Sequence, residues 1–329
     1  MSYEALASTN AGIAPIDQVI DRIRKVHGGW GRSTTVEEMR RDWDALLWSD
    51  AVAAQSEEVS AHAVDATLIA SAEALPDTVL LYLHGGGFQV GSVRSHRDLI
   101  ARLSKAAGCR ALAIDYRLSP EHRFPAALKD CIAAYQWLLE QGVAPTRIAI
   151  AGDSAGGGLA LSTMLVLRER GMQLPAAAVV LSAWTDLTAT GESYESRADA
   201  DPLNQRRTIQ AMARAYLGDS ADPRDPLVSP LFANLAGLPP LLIQVGDREI
   251  VLDDSRRFAK KARAAGVEVE LEVWDGMIHV FQQFALELPE ASLAIESIGR
   301  FLRRHWQVSQ RAAAQESALV KAKGDARRD

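Results

Sequence analysis

The sequence contains little of what marks several large classes of protein. Cys109 and Cys131 are its only cysteines among 329 residues, too few for a disulfide scaffold and without the spacing of a metal knuckle, so we expect two buried thiols. The best uncharged run, residues 171–185, has fifteen residues and includes Pro175, which is short of the roughly twenty that span a bilayer. The sequence therefore argues against a disulfide-rich domain and against a transmembrane helix.

An excess of basic residues is also lacking. The 36 Lys and Arg residues are outnumbered by 42 Asp and Glu, giving a formal net charge of -6, so we expect no surface for nucleic acid or for an acidic membrane. Residues 1–14 lack the basic region, apolar run and cleavage site of a signal peptide. We therefore predict a cytoplasmic location and a small neutral ligand.

What the sequence does contain is a regular alternation of strand patterns and helix patterns. Residues 17–50 form a helical arm, with apolar residues at three- and four-residue steps. After the arm, we predict strands at 78–83, 109–114, 146–151, 176–181, 241–245 and 267–273, and helices at 95–107, 125–141, 155–170, 252–265 and 290–306. This alternation predicts an α/β fold with a mostly parallel central sheet and helices on both faces.

The same pattern predicts how the chain is divided. Residues 1–50 form an N-terminal helical cap segment and residues 51–189 the first part of the α/β domain. The alternation breaks at 190–226, where we predict an inserted cap segment, and resumes at 227–307 with the second part of the domain. Residues 308–329 have little to bury, so we expect this C-terminal tail to fray or to be disordered.

A serine lies between a predicted strand and a predicted helix in G-D-S-A-G, residues 152–156. In that context the glycines permit a sharp, strained turn that holds the hydroxyl of Ser154 at the edge of the sheet, with a helix N-terminus behind it. The five-residue pattern G-x-S-x-G arises by chance about 0.1 times in a chain of this composition, so alone it is weak. Its position between strand and helix makes Ser154 the candidate nucleophile.

A rarer motif, H-G-G-G, ends the first predicted strand at residues 84–87. Its chance frequency is about 0.002 in such a chain. Three glycines could serve only a turn with positive φ angles, but they also leave amide groups that no side chain shields. We therefore interpret these amides, together with the amide of Ala155, as donors to an oxyanion formed during acyl transfer.

A nucleophilic serine needs a base and an acid. Of the seven histidines, His279 follows the last predicted strand in a loop, at the edge where parallel strands end and active sites gather. The acid is expected between Ser154 and His279 in chain order, after a strand. The loop after 241–245 offers Asp247, Glu249 and Asp253, and the pattern of residues leaves these three open.

Taken together, the motifs resemble those of the hormone-sensitive-lipase-like family of α/β-hydrolases, a group of bacterial carboxylesterases. The resemblance covers about residues 60–306. The stretches that carry it are H-G-G-G at 84–87, D-Y-R-L-S-P-E-H-R-F-P-A-A at 115–127, G-D-S-A-G-G at 152–157 and D-G-M-x-H-x-F at 275–281. It implies the α/β-hydrolase fold with a helical cap.

The resemblance also implies roles for individual residues. Ser154 and His279 match the nucleophile and the base, and Gly86, Gly87 and Ala155 match the oxyanion hole. The usual acid motif, D-P-L-x-D, falls here on E-I-V-L-D at 249–253, so a glutamate stands where an aspartate is usual. On this register we predict Glu249 as the acid, with Asp247 as the second choice.

The function implied is a serine carboxylesterase that hydrolyses short-chain acyl esters through an acyl-enzyme intermediate, without metal or organic cofactor. Its predicted partner is a small-molecule ester, and the chain is expected to be a monomer or a homodimer. Hydrolysis of lactones or other acyl compounds uses the same triad. A ligand-binding receptor on this scaffold, like the plant gibberellin receptor, is less expected because Ser154 and His279 are both present. Met212, Tyr216 and Leu217 either line the cap or pack as an ordinary amphipathic helix.

Overall fold

The fold is built on one twisted sheet. The computed structural model describes residues 14–31, 33–219 and 221–325, with side chains as far as residue 307. The sheet has eight strands in the order β1-β2-β4-β3-β5-β6-β7-β8. Their bounds are β1 Gln55–Ala61, β2 Val64–Ala70, β3 Leu75–Leu83, β4 Cys109–Asp115, β5 Ile148–Asp153, β6 Ala177–Leu181, β7 Leu241–Gly246 and β8 Val269–Trp274.

Strands β3 to β8 run parallel, while β2 pairs antiparallel with both β1 and β4. The predicted α/β class and mostly parallel sheet are confirmed. The hairpin of β1 and β2 lies in residues 51–77, to which the sequence patterns assigned no strand. Its turn is formed by His62 and Ala63, which have φ values of +54° and +64°. Such turns usually contain Gly or Asn, so the usual signal for a hairpin is absent here.

Helices cover both faces of the sheet, as predicted. Their bounds are α1 Pro15–Gly28, α2 Val36–Leu47, α3 Val93–Ala107, α4 Ala126–Glu140, α5 Ser154–Glu169, α6 Ser193–Ser196, α7 Arg206–Leu217, α8 Leu252–Ala264 and α9 Pro289–Asp325. One core lies between the sheet and α4, α5 and α8, and a second lies between the sheet and α3 and α9. Within the described ranges, no helix is both long enough and apolar enough to cross a membrane.

The central strands explain why the sequence shows continuous apolar runs there. In β3, Val79, Leu81 and Leu83 contact the first core, and Leu80 and Tyr82 contact the second. All five are fully buried. A strand buried on both faces has no polar face to alternate with. Burial of each large apolar side chain stabilises the fold by about 1.5–3 kcal/mol relative to exposure, which makes the strand ends a rigid frame.

The two predicted cap segments contain α1 and α2, and α6 and α7. Helix α1 contributes Val19, Ile20 and Ile23 to a third core, which includes Met277 and Ile278 from the loop after β8. The N-terminal segment thus packs directly on the loop that carries His279. The proposed domain boundaries stay predictions. Helix α9 continues to Asp325, and the predicted behaviour of the 308–329 tail is left open because side chains beyond 307 lie outside the described residues.

Candidate active site

The turn between β5 and α5 presents Ser154. Strand β5 ends at Asp153 and α5 begins at Ser154, whose φ is +52°. A non-glycine residue in this left-handed region is strained, as expected for a nucleophile at a strand-to-helix turn. The turn is tight because Gly156 has no side chain: a Cβ there would overlap the carbonyl oxygens of Leu83 and His84. The motif thus lets α5 pack against the end of β3.

His279 lies beside this serine, although 125 positions separate them in the chain. Its Nε2 is 2.9 Å from Ser154 Oγ. His279 as a whole is only 4% exposed, and its contact with Ser154 borders the cavity described below. Strands β5 and β8 end at the same edge of the sheet because they are parallel, and this common edge brings the two residues together.

Glu249 lies on the other side of the imidazole. Its Oε2 is 2.7 Å from His279 Nδ1, and the carboxylate is fully buried. Because a carboxylate only accepts hydrogen bonds, Nδ1 carries the proton and Nε2 is free to accept from the Ser154 hydroxyl. The other two carboxylates that the sequence left open bind elsewhere: Asp247 accepts from the Gly276 amide at 2.7 Å and Asp253 from the Ser193 amide at 2.9 Å.

The protonation of His279 is set by competing effects. Burial disfavours the charged imidazole, but the charge and hydrogen bond of Glu249, with the nearby charges of Asp201 and Asp153, outweigh it. The pKa of His279 is therefore raised above its usual value of 6.5. The arrangement stabilises the imidazolium that forms when the histidine takes a proton.

The H-G-G-G loop lies next to the serine with unusual backbone angles. Gly86 and Gly87 have φ values of +113° and +60°. The amides of Gln89 and Val90 donate to the Gly86 carbonyl at 3.1 and 3.0 Å, which closes a tight turn. Among the described residues, the Gly86 and Gly87 amides donate to no protein acceptor. The amide of Ala155, in the first turn of α5, also lacks an acceptor within its helix. These amides are available to an anionic oxygen.

A cavity of about 520 Å³ opens above Ser154 and His279. Both predicted cap segments contribute to its lining, which is mostly apolar and includes Trp30, Met39, Trp43, Trp184, Leu203 and Met212. Of the three cap residues considered from the sequence, Met212 lines the cavity. Tyr216 instead stacks on Phe88, with ring centroids 3.8 Å apart, and Leu217 packs in the first core. The interpretation as ordinary helix packing is correct for these two.

Comparison with known proteins places the chain in a family. Residues 80–283 match the family described as having the alpha/beta hydrolase fold. The chain belongs to this α/β-hydrolase family. An acetyl-hydrolase of Streptomyces hygroscopicus is 49% identical over 224 residues, 68% of this chain and 75% of that protein. An esterase of Acinetobacter venetianus is 41% identical over 230 residues, 70% of this chain and 76% of that protein.

A solved structure shows to which group within the α/β-hydrolase family the chain belongs. The crystal structure of an esterase from the bacterial hormone-sensitive lipase family is 47% identical, with a TM-score of 0.85, and the match covers 89% of this chain and 98% of that one. The chain is thus a member of the bacterial hormone-sensitive-lipase-like group of α/β-hydrolases, and the family resemblance inferred from the motifs is confirmed.

In this α/β-hydrolase a buried network, not anticipated from the sequence, supports the H-G-G-G loop. Asp153 Oδ1 accepts from Tyr82 Oη at 2.8 Å and from the Gly85 amide at 3.0 Å, and its Oδ2 is 3.3 Å from His96 Nε2. Burial raises the pKa of Asp153, but His96 and the Tyr82 hydrogen bond outweigh burial and hold it below 3.8. The residue before the nucleophile thus anchors the loop that carries the free amides.

The predicted N-terminal cap segment of this α/β-hydrolase is hydrogen-bonded to the same loop. Arg40 of α2 donates to the Gln89 carbonyl at 2.8 Å and to the Ser119 carbonyl at 3.1 Å, and pairs with Glu121 at 2.7 Å. Nothing in the local sequence marks this role, because an arginine on the polar face of a helix is usually solvated. Its three partners lie 49 to 81 positions away in the chain.

Aromatic side chains of the N-terminal segment form one wall of the cavity. The rings of His27 and Trp30 stack with centroids 4.4 Å apart, and Trp43 lies 5.5 Å from His27. Burial lowers the pKa of His27 to about 4, with the Leu203 backbone opposing the shift, so His27 is neutral near pH 7. These aromatic side chains therefore form an uncharged, largely apolar patch, which suits a hydrocarbon or aromatic part of a ligand. Arg24 of the same segment also lines the cavity.

Proposed function

We propose that this chain is a serine carboxylesterase that hydrolyses short-chain acyl esters of small molecules through an acyl-enzyme intermediate. One observation carries the proposal. An unbroken line of hydrogen bonds runs from Glu249 through His279 to Ser154, at 2.7 and 2.9 Å, beneath an apolar cavity of about 520 Å³. Its relatives named acetyl-hydrolase and esterase support the same reaction class.

In the first half of the proposed reaction, His279 Nε2 takes the proton of Ser154 as Oγ attacks the ester carbonyl carbon. The carbonyl oxygen becomes an oxyanion and accepts from the amides of Gly86, Gly87 and Ala155. Each such donor typically contributes about 10²- to 10³-fold in rate. His279 then protonates the alcohol oxygen as its bond to carbon breaks, which leaves the acyl group on Ser154.

In the second half, water replaces the alcohol. His279 Nε2 takes a proton from water as the oxygen attacks the acyl carbon, and the same amides stabilise the second oxyanion. The carbon–Oγ bond then breaks, Ser154 regains its proton from His279, and the acid leaves. Glu249 keeps the imidazole in the Nδ1-protonated tautomer and stabilises its charged form throughout.

A short acyl group is supported by the narrow space beside the free amides. The cavity volume of about 520 Å³ is in the range of small-ligand sites, and both predicted cap segments contribute to its lining. Met212 lies against Gly87, where a Cβ would meet its sulfur, so the space beside the free amides is narrow. An acyl group bound there has little room beside the Met212 side chain, which favours a short one.

The test compares initial rates on p-nitrophenyl acetate, butyrate and decanoate and on a lactone. We expect the two short esters to be hydrolysed faster than the decanoate, and Ser154→Ala to abolish turnover. Faster turnover of the decanoate would contradict the short-chain assignment. Preference for the lactone would favour the alternative acyl hydrolase. No turnover of any compound, with ligand binding unchanged in Ser154→Ala, would favour a receptor.

A cytoplasmic location and a monomeric or dimeric state are further proposals, made from the sequence. Cell fractionation and light scattering of the purified chain test them. Recovery of the protein outside the cytoplasm, or a mass above that of a dimer, would contradict them.

A further inference from the structure

We propose that Ser182 is a positioning residue that acts on the reaction through Glu249. Ser182 follows β6 at the same edge of the sheet as Ser154 and His279, and it is fully buried. The inference rests on the proposed function, because it concerns the acid of the same site. It concerns a hydroxyl that touches neither the substrate cavity nor Ser154.

The hydroxyl of Ser182 connects the acid to the histidine loop. It donates to Glu249 Oε1 at 2.7 Å and accepts from the Val280 amide at 3.0 Å. These directions are fixed, because a carboxylate only accepts and an amide N–H only donates. Val280 is covalently bonded to His279, so Glu249, His279, Val280 and Ser182 form a closed ring of contacts. The ring fixes the distance between the acid and the imidazole.

Both carboxylate oxygens of Glu249 are thereby held. Oε2 accepts from His279, while Oε1 accepts from Ser182 and from the Gly246 amide. A glutamate has one more rotatable bond than the aspartate of the usual family motif, and a side chain with more rotamers needs more contacts to stay in one. The second oxygen provides them, and this accounts for how a longer acid can present its first oxygen to His279 in one geometry.

The backbone at Ser182 also points to its hydroxyl. Its φ is +50°, and that of Val280 is +49°. Both values lie in the left-handed region, which strains non-glycine residues. Glycine would adopt this conformation without strain, so the side chain is the part of Ser182 that the site requires. Backbone outliers of this kind concentrate at functional sites.

The experiment compares Ser182→Gly with Ser182→Ala, using p-nitrophenyl butyrate. Both variants remove the hydroxyl, but glycine removes the backbone strain as well. We expect kcat to fall about 10- to 100-fold in both, as for loss of a hydrogen bond to a charged group, with KM nearly unchanged. If Ser182→Gly keeps kcat within about twofold of the wild type, the hydroxyl does not position the acid and the proposal is wrong.

A double-mutant cycle separates positioning from mere structural support. In a Glu249→Ala background, Ser182→Gly should cause no further loss of kcat, because the group it acts through is gone. A further loss equal to that in the wild type would overturn the proposal. Ser104→Ala is the matched control: this buried hydroxyl also donates to a carbonyl, that of Cys109, and accepts from an amide, that of Ser71. It should reduce stability and leave kcat unchanged.

A second measurement keeps this test separate from the proposed function. The rate at which a fluorophosphonate probe labels Ser154 depends on the triad and not on ester turnover. We expect Ser182→Gly to slow labelling by the same 10- to 100-fold. A wild type that is labelled rapidly but hydrolyses no ester would count against the esterase function alone. Unchanged labelling in Ser182→Gly would count against the role of Ser182 alone.

Discussion

Substitutions of Gly86 and of Gly87, the last two glycines of H-G-G-G, should have unequal effects on catalysis. At Gly86, φ is +113°, and an added Cβ would overlap the carbonyl group of Val90. Alanine does not adopt this φ, and the overlapping atoms belong to backbone that is hydrogen-bonded to Gly86 itself. The turn must therefore open. Gly86→Ala should displace one oxyanion donor and lower kcat by about 10²- to 10³-fold.

The change at Gly87 is milder. Its φ of +60° lies in the left-handed region, which an alanine occupies at a cost of about 1–2 kcal/mol. The added Cβ would meet the sulfur of Met212, the flexible end of a side chain. A strain of about 1–2 kcal/mol shifts the balance between the working and the displaced position of the amide by about 5- to 30-fold, which is less than the full loss of a donor. Gly87→Ala should therefore lower kcat within that range, and Met212→Ala in the same chain should restore part of it.

The assay is kcat and KM on p-nitrophenyl butyrate for Gly86→Ala, Gly87→Ala and Gly87→Ala/Met212→Ala. Thermal unfolding of each variant shows whether a loss reflects the site or the whole fold. A folded Gly86→Ala variant with wild-type kcat would refute the assignment of this amide. An equal or larger loss in Gly87→Ala would refute the distinction between backbone overlap and side-chain overlap.

Changes at His279, Asp254 and Arg40 should have effects that the structure also explains. The base must be neutral to accept a proton, and the pKa of His279 is raised above 6.5, so kcat/KM should rise with pH through a pKa above 6.5. Glu249→Gln removes a charge that raises this pKa, so it should move the rise in kcat/KM to lower pH and reduce the rate. Burial, then the charge of Asp186, raises the pKa of Asp254 to about 7. The stability that protonated Asp254 contributes is therefore complete below pH 4 and is lost as pH rises through 7. Asp254→Asn should raise Tm more at pH 8 than at pH 5. Arg40→Ala should lower kcat/KM about tenfold and speed hydrogen exchange in residues 86–92. The control Arg304→Ala breaks a surface pair with Glu270 and should change neither kcat/KM nor hydrogen exchange in that loop.

Much of the fold is predictable from the sequence because its signals are local. Strands β3 to β7 contain apolar runs, β8 alternates apolar residues with Glu270 and Glu272, and each predicted helix between them has a regular period. The hairpin of β1 and β2 gives no such signal. Strand β1 reads Q-S-E-E-V-S-A and is largely exposed at the edge of the sheet, and its turn uses His62 and Ala63 in place of glycine. A burial pattern is missing from β1 and the usual residues are missing from the turn, while β2 alternates only at its start, where Val64 and Ala66 are buried and Asp65 is exposed.

The candidate site likewise has residues that the sequence predicts and residues that it does not. Ser154 and the glycines stand in motifs whose chemistry depends on neighbours within five residues. The choice among Asp247, Glu249 and Asp253 depends instead on which side chain the loop after β7 directs toward His279, and spacing does not fix that. Ser182 is harder still to predict from the sequence, because the residues it contacts lie 67 and 98 positions away and nothing in its local sequence marks it.

The strained backbone turns of this site and its fixed geometry both depend on the rigidity of the sheet. Ser154, Ser182 and Val280 all have φ near +50°, and each such residue costs of the order of 1–3 kcal/mol. Each lies just beyond the carboxyl end of a parallel strand or in the loop after it, and hydrogen bonds through His279 and Glu249 join all three. The buried strands cannot shift to relieve one strained turn without disturbing its neighbours. The sheet thus maintains strained turns that an isolated loop would relax, and this rigidity keeps hydroxyl, imidazole and carboxylate in line before any substrate binds.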